Sequence, residues 1–150
     1  MRLVIQRCRR ASVAVSGEVT GAIAHGLLIL VGVVESDTLD DVRWCCRKVA
    51  GMRIFNDEAG VMNRSVVDVA GGLLVVSQFT LHASTRKGNR PSYIRAAKPE
   101  VAEPMYERFV AELAQVSGIP VQTGIFGADM QVELVNDGPV TIIIDTEHKE

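Results

Sequence analysis

The stretch of the chain most suggestive of chemistry is LLVVSQFTLH, residues 73–82, where an apolar run passes directly into a polar cluster. Its first four residues predict a buried strand, and Ser77, Gln78 and Thr80 then bring groups that need hydrogen-bond partners wherever they are buried. If the segment stays extended, Gln78, Thr80 and His82 project to the same side. Free backbone N–H groups beside an amide and an aromatic wall predict an oxyanion site for a polar substrate. Taken alone, the cluster fits a plain sheet edge better.

The second informative stretch is NDGPVT, residues 136–141. Asp137-Gly138 is typical of a hairpin turn and predicts two strands, one on each side of it. Pro139 has no N–H to donate to a strand ladder, and X–Pro bonds are cis in about 5–6% of cases. By itself this pattern indicates a simple turn.

Composition limits the functions to consider. A chain of 150 residues predicts one domain, residues 1–150, and a net charge of −2 argues against a strong, sequence-blind nucleic-acid binder. No apolar run approaches the roughly 18 residues of a membrane span, so we expect a cytoplasmic protein without membrane contact. Neighbouring Cys45 and Cys46 cannot readily bridge, and the histidines lack ligand spacing, which predicts buried thiols, no metal and no cofactor.

Positive charge is concentrated in one acid-free segment of the chain. The segment is either a solvated face or a phosphate-binding strip. Its cations are Arg86, Lys87, Arg90, Arg95 and Lys98.

The elements that must position these stretches follow from periodicity. Alternation over residues 2–16 predicts a long strand, and the apolar run at 27–34 predicts a strand covered on both faces. Thr38 and Asp41 resemble a capping box. The helix that they open should bury Val42, Cys45, Cys46 and Val49. A second helix should begin near Pro99, end at Gly118 and bury Val101, Met105, Phe109, Leu113 and Val116.

The order of strands and helices lacks regular βαβ alternation, which favours an α+β fold of mixed and antiparallel strands with two helices. Strands at 27–34, 73–76 and 141–144 show almost nothing polar to solvent. Two helices cannot cover all of them in so small a domain. We therefore expect a symmetric homodimer.

Together, SQFTL (77–81) and NDGPVT, with GEVTG (17–21) and KGNRPSY (87–93), resemble the D-aminoacyl-tRNA deacylase family. The resemblance spans the chain from MRLVIQR to GPVTIII. It implies a barrel-like homodimeric enzyme that cleaves the ester between a D-amino acid and the 3′ end of tRNA, for chirality proofreading. It also implies catalytic roles for Gln78, Phe79 and Thr80.

The resemblance further implies a pocket shared between subunits. A Gly-cis-Pro element from one subunit enters the pocket of the other, and an arginine supports that element. The implied substrate-binding residues are Ser77, Phe126, Met130, Gly138, Pro139 and Arg7. The cations Arg86, Lys87 and Arg90 would then contact tRNA phosphates near the acceptor end.

The implied selectivity limits the mechanism. Thousandfold rejection of the L-ester requires about 4 kcal/mol, whereas a missing apolar contact supplies only about 1–3 kcal/mol. We therefore expect rejection by a steric clash or an unpaired polar group, and a purely steric pocket cannot exclude glycine. Two mechanisms are then open. In the first, Thr80 is the nucleophile and His82 its base. In the second, which we favour, the backbone amides of Phe79 and Thr80 form an oxyanion hole and the ribose 2′-OH positions or activates water. An RNA-binding module and a general esterase remain alternatives.

Overall fold

A nearly closed mixed β-sheet forms the frame of the computed structural model, which describes residues 1–149. Its long strands alternate apolar residues, and its two central parallel strands contain continuous apolar runs. The strands are β1 (Arg2–Val15), β2 (Glu18–Ile23), β3 (Gly26–Gly32), β4 (Phe55–Asn56), β5 (Met62–Arg64), β6 (Gly72–Ser77), β7 (Val121–Thr123) and β8 (Gln131–Asp145). The helices are α1 (Leu39–Gly51) and α2 (Pro99–Ser117), and a 3-10 turn covers Phe79–His82.

The main sheet has the order β2-β1-β3-β6-β7. The first half of β1 pairs with β3 and its second half with β2, and β8 pairs along the opposite edge of β1. β6 runs parallel to β3 and β7, and the other pairs of this sheet are antiparallel. At the open seam, Thr20 Oγ1 donates to the Thr123 carbonyl at 3.3 Å, which brings β2 against β7. This confirms the expected α+β fold with a barrel-like sheet and two helices.

The central strands β3 and β6 are buried on both faces, as their apolar runs predict. One face packs against both helices, and the other packs against the curved second half of β1. The helix-side strand residues are Leu27, Ile29, Leu73 and Val75. The residues of the opposite core are Cys8, Ala11, Val13, Leu28, Leu74 and Val76.

Helix α1 begins as the sequence predicts. Thr38 Oγ1 accepts from the Asp41 amide, and the Asp41 carboxylate accepts from the Thr38 amide at 3.0 Å. All three cysteines are free and buried. Burial raises the pKa of Cys45 and of Cys46 to about 12, so these thiols stay protonated.

Helix α2 begins at Pro99 and is capped by Gly118 at φ 68°, but its predicted buried stripe is only partly correct. Val116 is exposed, and Val101 and Met105 are only partly buried. The Tyr106 hydroxyl donates to the Val75 carbonyl at 2.9 Å, which fixes the rotation of the helix about its axis. The buried side of α2 consists of Ala102, Tyr106, Phe109, Leu113 and Ser117.

The predicted hairpin at NDGP is wrong. β8 is a single strand that pairs with β1 on both sides of this stretch: Thr141 lies opposite Gln6, and Asn136 lies opposite Cys8. Residues 137–140, here called the corner, therefore bulge out opposite one residue of β1. The Asn136 side chain stabilises the bulge because Val140 N donates to its Oδ1 at 2.9 Å.

Within residues 1–149, β8 pairs with β1 alone, and its Ile143 is 66% exposed. A long edge strand with an exposed apolar side chain is a surface that a second copy could cover, and the dimer stays a prediction. Among residues 1–149, no helix is both long and apolar enough to cross a membrane.

Candidate active site

The polar cluster after β6 lies in a 3-10 turn, which corrects the expectation of an extended segment. The backbone N–H of Gln78 makes the last hydrogen bond of the sheet, to the Val31 carbonyl at 2.8 Å. The chain then curls, and Leu81 N donates to the Gln78 carbonyl at 3.3 Å. A 3-10 turn rotates by about 120° per residue, so side chains two positions apart no longer share a face.

The turn explains how the polar groups are satisfied and which remain free. Gln78 Nε2 donates to Thr80 Oγ1 at 2.6 Å, so the amide and the hydroxyl pair with each other. The N–H groups of Phe79 and Thr80 begin the turn, and neither donates to an acceptor within the described chain. Two adjacent free donors at a strand end can bind a developing negative charge on oxygen.

A cavity of about 550 Å³ opens beside this turn. Its walls are mainly apolar and aromatic, and Tyr106 packs against Phe126 with ring centroids 5.9 Å apart. At the mouth, Tyr93 meets Phe79 edge to face at 5.1 Å. The side chains that define its shape are Val31, Val33, Ser77, Gln78, Phe79, Tyr93, Tyr106, Phe126, Asp129 and Met130.

The structure brings together five of the predicted site residues around this cavity: Ser77, Gln78, Phe79, Phe126 and Met130. The sequence reasoning missed Tyr106 and Asp129. A tyrosine among the apolar residues of α2 was a usable signal, because a buried hydroxyl needs a partner. Asp129 lies in a loop without periodicity, and no pattern pointed to it.

His82 makes no hydrogen bond to Thr80. It is only 2% exposed, and neither ring nitrogen has a hydrogen-bond partner among residues 1–149. Burial lowers the pKa of His82 by disfavouring the charged form, and the Gly32 backbone opposes this shift. The hydrogen bond that a nucleophilic Thr80 with His82 as base would use is therefore not formed in this structure.

The corner is held from below by Arg7, which is 6% exposed. Arg7 Nε donates to the Asp137 carbonyl at 3.0 Å, and Nη1 donates to the Ile54 carbonyl at 2.6 Å. The Gly138–Pro139 peptide bond is cis, and both residues are exposed. Arg7 thus contacts the segment that it was expected to support.

One chain does not bring the corner to its own pocket. The corner bulges opposite Arg7 of β1. Arg7 pairs with Leu27 of β3, and Leu27 pairs with Leu73 of β6, so the corner is level with Leu73. Ser77 lies four residues farther along β6, which is about 13 Å, and three strand spacings separate β8 from β6, which is about 14 Å along the sheet.

The predicted basic strip is only partly free. Arg86, Lys87 and Arg90 are exposed in a loop closed by mutual backbone hydrogen bonds of Ser84 and Ser92. Arg95, however, pairs with Glu147 at 2.7 Å. The loop leads into Tyr93, which lines the cavity.

No cluster of histidine, cysteine, aspartate and glutamate that could hold a metal ion occurs in the described part of the chain.

Comparison with known proteins gives consistent results. The family model described as D-Tyr-tRNA(Tyr) deacylase matches residues 4–145. A D-aminoacyl-tRNA deacylase of Bacteroides thetaiotaomicron is 57% identical over 150 residues, covering all of both chains. A solved structure described as a c-Myc DNA unwinding element binding protein superposes with a TM-score of 0.91 at 40% identity, covering 97% of this chain and 99% of that one. A second solved structure, described as a probable eukaryotic D-amino acid tRNA deacylase, superposes with a TM-score of 0.82 and covers 95% of this chain and 97% of that one. Its sequence identity is 16%, so it supports the fold alone.

Proposed function

The chain belongs to the D-Tyr-tRNA(Tyr) deacylase family, and we propose that it hydrolyses the ester between a D-amino acid and the 3′ end of tRNA. As a D-aminoacyl-tRNA deacylase it is a carboxylic ester hydrolase. The observation that carries the proposed mechanism is the pair of free amides of Phe79 and Thr80 beside the cavity. Such donors stabilise an oxyanion that forms when water attacks an ester carbonyl.

The chemical step needs no protein nucleophile. Water adds to the ester carbonyl carbon, the carbonyl oxygen takes the negative charge, and the two amides stabilise it. The bond to the ribose 3′ oxygen then breaks, and that oxygen takes a proton, which leaves free tRNA and the amino acid. The adjacent ribose 2′-OH orients the water, so positioning and oxyanion stabilisation supply the catalysis. The Gln78 side-chain amide donates to the Thr80 hydroxyl, which satisfies both groups beside the oxyanion site.

Selection of the D-ester belongs to the corner of a second copy. Each chain has a pocket without a corner and an exposed corner without a pocket, and a symmetric dimer completes both at once. Backbone carbonyls at Gly138 and Pro139 would bind the substrate's α-amino group and leave no room for an L side chain. Because glycine has no side chain, glycyl-tRNA should be hydrolysed as well.

The basic loop would contact the acceptor end of the tRNA. Its cations Arg86, Lys87 and Arg90 are exposed, and the loop that carries them ends at Tyr93, which lines the cavity. Phosphate contacts position a nucleic acid without reading its sequence, which suits an enzyme that acts on many tRNAs. Since charged tRNAs are used in the cytoplasm, we place the enzyme there.

The test is release of amino acid from D-Tyr-tRNA, L-Tyr-tRNA and glycyl-tRNA. We expect hydrolysis of the D-tyrosyl and glycyl esters, and a rate about 1,000-fold lower, a difference of about 4 kcal/mol, for the L-tyrosyl ester. Equal rates for D and L esters would contradict the proposal. Hydrolysis of small esters without RNA would instead indicate a general esterase, and binding without hydrolysis an RNA-binding module.

Two changes separate the possible chemistries. Thr80→Ala should keep activity within a few-fold of wild type, whereas a substrate with 2′-deoxyribose should react far more slowly. The reverse result would restore Thr80 as the nucleophile.

A further inference from the structure

Arg2 connects the 3-10 turn to the end of β8. Its Nη1 donates to the Leu81 carbonyl at 2.7 Å. Its Nε donates to Asp145 Oδ2 at 2.9 Å, and Nη2 lies 2.7 Å from the same oxygen. One guanidinium group therefore joins the turn that carries the two free amides to the last residue of the strand that carries the corner.

Besides Arg2, backbone hydrogen bonds and the side-chain bond from Gln78 to Thr80 restrain the turn. Among its backbone bonds, Leu81 N donates to the Gln78 carbonyl at 3.3 Å and Ala83 N donates to the Thr80 carbonyl at 3.0 Å. Phe79 is 56% exposed, so packing holds its side of the turn weakly. On the opposite side, the buried ring of His82 anchors the turn against β3.

The hydrogen bond from Arg2 to the Leu81 carbonyl has a charged donor, which makes it stronger than a bond between neutral groups. The carbonyls at the end of a helical turn lack partners within the turn, and a charged donor satisfies one better than a neutral donor does. Asp145 keeps the guanidinium in place. Burial works against ionisation of this carboxyl, but hydrogen bonds from Arg2 and the Glu147 amide, with the Arg2 charge, outweigh it and lower the pKa of Asp145.

We propose that Arg2 is a positioning residue for ester hydrolysis: by holding the Leu81 carbonyl, it fixes the direction of the Phe79 and Thr80 amides. The inference rests on the proposed function. Arg2 does not line the cavity, so it acts through the turn. Oxyanion donors must hold their geometry within about 0.5 Å, and their loss affects the transition state more than substrate binding.

The experiment compares Arg2→Ala, Arg2→Lys and Asp145→Asn with wild type. Arg43→Ala is the matched control, because Arg43 makes an exposed ion pair with Asp40 on α1, away from the cavity. Steady-state hydrolysis of D-Tyr-tRNA gives kcat and KM for the folded fraction of each protein. Amide hydrogen exchange of residues 78–83 reports the turn independently of activity.

We expect Arg2→Ala to lower kcat about tenfold with KM within about twofold, and to speed exchange in residues 78–83. Arg2→Lys should recover part of kcat, Asp145→Asn should have a smaller effect than Arg2→Ala, and Arg43→Ala should match wild type. Addition of guanidinium ions at non-denaturing concentration should raise kcat of Arg2→Ala alone.

The outcomes separate this inference from the function on which it rests. Unchanged exchange, or unchanged kcat in a folded Arg2→Ala protein, would overturn the role of Arg2 while the deacylase activity stands. A loss of thermal stability with normal kcat would overturn it too, because that is the pattern of a purely structural residue. A wild-type protein that hydrolyses no D-Tyr-tRNA would overturn the proposed function itself.

Discussion

The pocket and the corner differ in almost every physical respect. The pocket is concave, with aromatic walls and two free backbone donors, and it lies where a buried strand ends. The corner is convex and exposed and lies in the middle of an edge strand, where Arg7 holds it rigidly. The pocket offers backbone donors in a concave space, whereas the corner offers rigid, convex backbone. This contrast supports the proposal that one site is divided between two places on the chain.

The largest expected effect comes from Gly138→Ala. A Cβ atom there would lie 2.9 Å from Val140 Cγ2 and 3.1 Å from Arg7 Nη2, and a φ of 133° is rare for any other residue. The corner must shift, and a shift near 1 Å lowers kcat/KM for D-Tyr-tRNA about 100-fold. Gly51→Ala is the control, since a Cβ there meets nothing within 4 Å. Wild-type activity in Gly138→Ala would show that the corner has no part in the site.

Arg7→Ala should have the next largest effect. It leaves the buried Ile54 carbonyl and the corner without their donor, which costs about 1–3 kcal/mol of unfolding free energy and lets the corner move. We expect selectivity for D over L esters to fall about tenfold, a difference of about 1.4 kcal/mol. Arg9→Ala is the matched control, because Arg9 is exposed and contacts only the carboxylate of Asp137. Equal selectivity in both variants would contradict a support role.

Replacing Arg86, Lys87 and Arg90 with glutamine tests the surroundings of the pocket. KM for D-Tyr-tRNA should rise several-fold with kcat unchanged, and each lost cation should reduce the salt dependence of binding by about 0.7–0.9 in the log–log slope. Arg95→Gln should change KM less, since Glu147 already neutralises Arg95. A fall in kcat instead would place the loop in the chemistry.

The smallest expected effect is the pH dependence of stability that comes from His82, which anchors the turn against β3. Because the pKa of His82 is lowered in the folded chain, the unfolded chain binds more protons below about pH 6.5, so stability falls as pH falls below that value. The slope from this group is at most about 1.4 kcal/mol per pH unit. Urea unfolding between pH 5 and 7 should be less pH-dependent in His82→Leu than in wild type. Equal slopes would show that His82 does not titrate as a buried group.

Local patterns predicted most of the fold because they are satisfied locally. The capping box of Thr38 and Asp41 and the apolar runs of β3 and β6 each follow from neighbouring residues. The 3-10 turn was missed because four residues are too few to show a period. The corner was mistaken for a hairpin because its Asp-Gly signal is local, whereas the pairing of both flanks with β1 is not.

The candidate site divides in the same way. Ser77, Gln78 and Phe79 were found because a polar cluster ends an apolar strand, and Phe126 and Met130 were found only through resemblance. Tyr106 enters the site because tertiary packing sets the rotation of α2, which no sequence period specified.

The most direct test of the divided site is complementation between two inactive variants. One is Gly138→Ala, with an intact pocket; the other is Ala128→Trp, which fills the cavity and leaves the corner intact. After unfolding and refolding together, a corner that serves its partner's pocket restores one good site in each mixed dimer, or about a quarter of wild-type activity at random mixing. No activity above that of the separate variants, with mixed dimers shown by mass spectrometry, would contradict the account.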